Sequence, residues 1–215
     1  MGDPRSDDAW ITDFALAAGA GDRAALVTFV RATQRDVYRF LTHLCERGEA
    51  EDLSQETYLR ALRALPSFAG RSSARTWLLS IARRVAADQV RRTMTRPRTV
   101  PIDDWDTEVA ANPLHRRSEF DEGMLLRELV ARLQPDRRDA FVLTQMLGLG
   151  YASAAEVCRC PVGTIRSRVA RAREDLVRAM NPLGLPVEAP PVYKSLATPP
   201  SDARPEPPRR RRPNA

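Results

Sequence analysis

Residues 74–90 place Ala74, Trp77, Leu78, Ile81, Ala82, Val85, Ala86 and Val90 at steps of three and four. That spacing puts them on one side of a helix, where they need something apolar to pack against. The same rhythm recurs in three other stretches: Leu26 to Leu44, Leu125 to Leu133, and Val162, Ile165, Val169, Ala172 and Leu176. No segment shows the period-two alternation of a half-buried strand. The pattern therefore predicts an all-α chain made of several short amphipathic helices.

Punctuation divides these helices. Trp10, Ile11 and Phe14 open a first short helix, Gly19 and Gly21 end it, and Asp22 is placed to cap the next. Gly48 is expected to close that second helix, and Pro66 to stop a third that starts near Ala50. Ser73 is placed to cap the fourth. In the second half, Ser118 with Asp121 resembles a capping box, Pro135 starts a helix, and Gly148 ends it. A short helix over 153–157, a break at Arg159-Cys160-Pro161 and a longer final helix then follow.

The expected organisation is two small helical domains joined by a flexible linker. Residues 1–9 form a flexible start, 10–95 the first domain, 96–117 the linker and 118–180 the second domain. The linker assignment rests on Pro97, Pro101 and Pro113 among Asp103, Asp104 and Asp106. Residues 181–215 hold ten of the seventeen prolines and end in Arg209 to Arg212. Such a tail cannot bury enough apolar surface to offset its ordering entropy, so it is read as disordered.

Charge narrows the function. The chain carries +6 at pH 7, almost all of it arginine. A basic protein most often meets an anionic partner, and nucleic acid comes first among them; a solvated basic surface is the bland alternative. The charge is also unevenly placed. Residues 71–98 hold eight arginines against Asp88, and residues 159–178 hold six against Glu174 and Asp175. Residues 46–56 reverse the sign, with Glu46, Glu49, Glu51, Asp52 and Glu56 against Arg47. An acidic helix repels DNA and suits a basic protein instead. Three cysteines argue against a disulfide framework and fit a reducing compartment. No stretch approaches the roughly 18 apolar residues of a membrane span. Phosphate-loop, dinucleotide and zinc-protease motifs are absent from the sequence, so no enzyme and no cofactor is expected. Cys158-Arg159-Cys160 lacks nearby histidines, and no metal is expected there.

The short helix, tight break and longer helix of residues 153–178 match a helix-turn-helix that offers its second helix to the major groove. Arginine reads guanine there, while serine and threonine bond phosphates or base edges. Thr164, Arg166, Ser167, Arg168, Arg171 and Arg173 are the expected DNA contacts. An ordinary helical hairpin with a solvated arginine face would show the same periodicity.

These residues also carry a resemblance. Pro161-Val162-Gly163-Thr164-Ile165-Arg166-Ser167-Arg168, continuing to Arg171-Ala172-Arg173, resembles the P-x-G-T-V-x-S-R-x-x-R-A-R signature in the fourth conserved region of bacterial sigma factors. Asp52-Leu53-Ser54-Gln55-Glu56-Thr57-Tyr58 resembles D-L-x-Q-E-T-F of the second region, and Thr76-Trp77-Leu78 with Ile81-Ala82-Arg83 resembles the motif that follows it. With only these two regions, the chain resembles the extracytoplasmic-function (ECF) class. One departure is clear: the usual Y-x-E-I-A at the start of the helix-turn-helix reads Tyr151-Ala152-Ser153-Ala154-Ala155.

The resemblance implies an alternative sigma factor of the bacterial cytoplasm. It would bind core RNA polymerase, read two promoter elements and help open the duplex. Asp52, Leu53, Gln55 and Glu56 would dock on the clamp helices of the polymerase large subunit. Ser67, Phe68 and Arg71 in a loop, with Arg75, Arg83, Arg84, Arg91 and Arg92, would meet the minus-ten element as duplex and as single strand. The helix-turn-helix would meet the minus-thirty-five element. An anti-sigma partner is a further family expectation. The rival is a stand-alone helix-turn-helix repressor or activator; the acidic segment and the lack of a dimerisation element speak against it.

Overall fold

The computed structural model describes residues 8–46, 48–95 and 125–180, and within them the chain is helical with no strand. The expected linker 96–117, the Ser118 capping box and the tail 181–215 lie outside the described residues.

The first four helices are α1 (Ala9–Gly19), α2 (Arg23–Leu44), α3 (Glu49–Ala64) and α4 (Ala74–Thr95). Gly21 takes φ +100° just past α1, a left-handed position glycine reaches at little cost. Asp22 then caps α2, its carboxylate accepting from the amides of Ala24 and Ala25 at 2.9 and 3.0 Å. Ala25, Phe29, Thr33, Val37, Phe40, Leu41 and Leu44 form the buried stripe of α2. Its one polar member is satisfied: Thr33 bonds the Phe29 carbonyl at 2.8 Å and the Tyr58 hydroxyl of α3 at 2.8 Å.

Gly48 does not close α2 as the sequence suggested. Helix α2 ends at Leu44, and Gly48 sits at the N-cap of α3 with φ +95°. Pro66 does stop α3, through a short 3-10 turn over Leu65–Ser67. Ser73 opens α4, its hydroxyl accepting from the Thr76 amide at 3.1 Å. The amide of Ala74 donates to the Thr12 hydroxyl of α1 at 3.0 Å, which locks α4 against α1.

The second domain begins with a helix over 125–131, here α5. Helix α6 (Pro135–Phe141) runs into a π turn over Val142–Met146, and α7 (Tyr151–Cys158) and α8 (Val162–Met180) complete the domain. Gly148 at φ +71° ends the α6 segment as expected. The break between α7 and α8 is tighter than a loop. Arg159 is a left-handed C-cap at φ 53°, which turns the chain within three residues. Ile165, Val169, Ala172 and Leu176 of α8 are buried against α6 and α7.

The two domains touch. Helix α4 packs along α7, and α2 meets α6 and the π turn.

Candidate nucleic-acid and polymerase interfaces

Helix α3 presents the acidic face. Asp52 and Gln55 are exposed, and Glu56 is half-buried. Glu56 holds Arg60 at 2.7 Å, and Arg60 also holds Asp88 of α4 at 2.7 Å. Leu53 faces the other way and is only 7 % exposed. It falls in step with Ala50, Thr57 and Ala61 on the buried side, so the structure places it off the outward acidic face where the sequence had grouped it with Asp52, Gln55 and Glu56. Leu59 and Leu62 continue that face and are 49 % and 40 % exposed. The sequence reading missed them, although they follow Asp52 and Gln55 at seven-residue spacing.

Ser67, the last residue of the 3-10 turn, and Arg71, in the loop before α4, are both exposed. Phe68 is half-buried and lies against Trp77, with ring centroids 4.8 Å apart and planes tilted by 37°. Trp77 and Phe68 are both partly buried and pack as a pair against the core. Gly70 takes φ +66° with the Leu16 side chain beside it, which sets the curve of the loop.

The arginines of α4 divide into two groups. Arg75 and Arg83 point into the contact with the second domain. Arg75 bonds Asp36 at 2.6 Å and the backbone carbonyl of Leu147 at 2.6 Å. Arg83 bonds Asp139 of α6 at 2.6 Å and lies 3.7 Å from Asp136. Asp139 is the most enclosed carboxylate of this contact, with its side chain 10 % exposed. Burial raises its pKa, against the pull of Arg83, so the charge on this group is costly without its partner. Arg84, Arg91 and Arg92 remain exposed. Arg84 faces Arg159 across the contact, and burial together with that like charge lowers its pKa. Arg91 pairs with Asp88.

On α8, Arg166 and Arg171 are exposed and form no ion pair among the described residues. Arg168 is turned inward, bonded to Asp136 and 3.5 Å from the Cys160 sulfur. Arg173 donates to Gln145 at 2.6 Å. Ser167 bonds the Thr164 carbonyl at 2.9 Å, and Thr164 is half-buried near the helix start. Asp136 thus sits between one arginine from each expected DNA-reading surface. An open cleft of about 550 Å³, lined by Cys45, Val90, Arg127 and Arg138 among others, leaves part of the domain boundary unpacked.

Cys158 is buried, and burial pushes its thiol up to about 12. All three cysteines are free thiols, and no cluster of three or more metal-ligating side chains occurs among the described residues. No described helix is long and apolar enough to cross a membrane.

A helical domain with an acidic outer helix, tied to a helix-turn-helix domain with a basic one, defines a modular transcription initiation factor. Family models agree: Sigma-70 region 2 matches residues 29–96, and Sigma-70 region 4 matches residues 123–176. The ECF RNA polymerase sigma factor SigC of Mycobacterium tuberculosis is 49% identical over 183 residues, covering 82% of this chain and 95% of the relative. The ECF RNA polymerase sigma-E factor of Haemophilus influenzae is 34% identical over 184 residues, covering 80% and 97%. Among solved structures, CnrH in complex with the cytosolic domain of CnrY shares the fold, with TM-score 0.63, 21% identity, and 80% and 98% covered. The sigma factor RpoE of Bartonella quintana, solved with the anti-sigma factor NepR, gives TM-score 0.57 at 27% identity, covering 74% and 98%. The chain belongs to the ECF class of RNA polymerase sigma factors. It is an alternative sigma factor, and the stand-alone repressor or activator reading is set aside.

Proposed function

We propose that this chain divides the work of a sigma factor between its two signs of charge. The outward face of α3, with Asp52, Gln55 and Glu56, docks on the clamp helices of the polymerase large subunit. Ser67, Phe68, Arg71, Arg75, Arg83, Arg84, Arg91 and Arg92 meet the minus-ten element, and Thr164, Arg166, Ser167, Arg168, Arg171 and Arg173 meet the minus-thirty-five element. Residues 10–95 and 118–180 act as the two modules, with 96–117 as their tether. The chain itself catalyses no reaction, works in the cytoplasm, and is restrained by an anti-sigma partner that competes for these surfaces.

The observation that supports this most is the segregation of charge within one small domain. An acidic α3 face lies beside an arginine-rich α4, and one surface cannot suit both a basic protein and a polyanion. A corollary follows from the domain contact. Arg75 and Arg83 each bond oxygens of the second domain in the closed chain, so promoter reading by these two requires the domains to part, whereas Arg168 is held by Asp136 within its own domain.

Run-off transcription tests the reading. Core polymerase with this protein should yield transcripts from promoters mapped after its overexpression, and core alone should not. Equal transcript from both would refute it. Replacing Asp52, Gln55 and Glu56 together should weaken capture of core polymerase while leaving duplex binding by the free chain intact. Undiminished capture would overturn the docking assignment.

A further inference from the structure

Helix α2 has an outward face that the roles above leave unused. Its buried stripe of Phe29, Thr33, Val37, Phe40 and Leu44 fixes which side is outward. That side carries Arg31, Arg35, Tyr38 and Arg39, with Val27 and Arg23 one and two turns earlier, and all six are exposed. Tyr38 is 50 % exposed, and Val27 49 %. Arg23, Arg31, Arg35 and Arg39 form no ion pair among the described residues. The one carboxylate within this stretch, Asp36, is turned away and held by Arg75 at 2.6 Å.

This arrangement costs the helix something. Like charges four residues apart repel along a helix face, and Arg31, Arg35 and Arg39 make two such steps. Arg23, at the first helical position, opposes the positive end of the helix dipole. The Asp22 carboxylate already meets the helix start, but no carboxylate among the described residues pairs with Arg31, Arg35 or Arg39. An external anion along the face would offset the repulsion among these three.

The spacing specifies the anion. Four residues of helix rise about 6 Å, so the three arginines form a row about 12 Å long. A row suits a chain of phosphates better than a single ion. Tyr38 lies on the same face, on the turn between Arg35 and Arg39. A half-exposed ring set among arginines is how proteins hold an unpaired base while cations track the backbone. A duplex would engage the arginines but offer the ring no base face. We propose that the outward face of α2 binds single-stranded nucleic acid, with Arg31, Arg35 and Arg39 on the backbone and Tyr38 stacked on an unpaired base. The proposal rests on α2 alone and is independent of polymerase docking and of the helix-turn-helix.

The test uses the full chain and a fluorescently labelled oligothymidine of about 20 nucleotides, followed by anisotropy across a salt series. The triple variant R31A/R35A/R39A should lower the slope of log affinity against log salt by about 2, since each single-strand phosphate contact contributes about 0.7. Y38A should weaken binding about 5- to 150-fold while Y38F stays near wild type, and the loss should be smaller on duplex of the same length. Circular dichroism checks that each variant is folded, which the exposure of all four positions makes the expected result. An unchanged slope in the triple variant overturns the proposal, and so does wild-type affinity in Y38A. A photocrosslinker placed at position 38 in the polymerase complex gives a second readout. Crosslinks to a nucleic-acid strand support the assignment, and crosslinks to a polymerase subunit overturn it.

Discussion

Removing the charge of Asp139 should open the chain and make it bind promoter DNA more tightly. Asp139 is the best site for this test because it belongs to the second domain and to none of the proposed DNA contacts. Its bond to Arg83 is short, at 2.6 Å, and largely enclosed, with the two side chains 10 % and 26 % exposed. A hydrogen bond between charged groups contributes about 1.5–3 kcal/mol net. The substitution D139N keeps shape and removes the charge, so the closed arrangement should lose about that much. At 1.4 kcal/mol per decade, this shifts the closed-to-open ratio by about 10- to 100-fold.

Partial rescue is built in. Arg83 lies 3.7 Å from Asp136 and can lean on it, so D139N should fall at the low end and D136N/D139N at the high end. Small-angle scattering reads the opening as an increase in radius of gyration. Anisotropy on a mapped promoter fragment reads the gain in affinity. R83A should open the chain to a similar extent without the gain, because it also deletes a DNA contact. If D139N leaves both radius and affinity at wild-type values, the contact is incidental and closure does not compete with DNA.

Other expectations follow from single sites. Burial, with help from Arg127, Arg39 and Arg138, holds His43 down at about 4 instead of 6.5. Folding therefore keeps it neutral, and stability is full above pH 6.5 and falls as pH drops towards 4. About 2–3 kcal/mol should be lost across that window after allowing for partial exposure, and H43Q should flatten the profile; an identical pH dependence of Tm in both proteins contradicts it. Gly19 ends α1 with its missing Cβ only 2.6 Å from the Leu65 carbonyl oxygen. Helix propensity alone would make G19A stabilising, but the clash is with backbone, so denaturant unfolding should show a loss of about 1–3 kcal/mol. Arg166 projects freely from α8, so R166A should cost about 1–3 kcal/mol on specific duplex. An equal loss on scrambled duplex would reassign it to phosphate contact.

The helices were legible because their stripes are long and their stops are chemical. Asp22, Ser73, Pro66 and Pro135 act where their side chains require. The failures are local and have causes. Gly48 suits either a helix end or the start of the next, and the sequence does not choose. The π turn at Val142–Met146 keeps the same apolar order as an α turn. Leu53 belonged at once to the core stripe and to the family motif, and packing decided for the core. Exposed Leu59 and Leu62 were recoverable from helical spacing alone, had the face been followed past the motif. The domain contact was not recoverable. Arg83 and Asp139 are 56 residues apart, and a guanidinium facing DNA reads the same in sequence as one facing a carboxylate.

That ambiguity has a physical use. Promoter elements named for positions minus thirty-five and minus ten are centred about 25 base pairs apart, or about 85 Å along B-DNA. In the closed chain, arginines from both proposed reading surfaces meet Asp136, so on that reading the two surfaces would not occupy both elements at once. The chain between the described segments, residues 96–124, is 29 residues long. A fully extended stretch of that length spans at most about 100 Å, which is compatible with the proposed separation. Opening then exchanges a few protein carboxylates for many phosphates. The exchange favours DNA only where both elements are present at the right separation and polymerase holds the first domain. On the proposed reading, a latch worth a few kcal/mol would penalise stray binding by the free chain, which has no second element to make up the loss. A much stronger latch would silence the factor on its own promoters, so a contact worth only a few kcal/mol suits a closure that must be reversible.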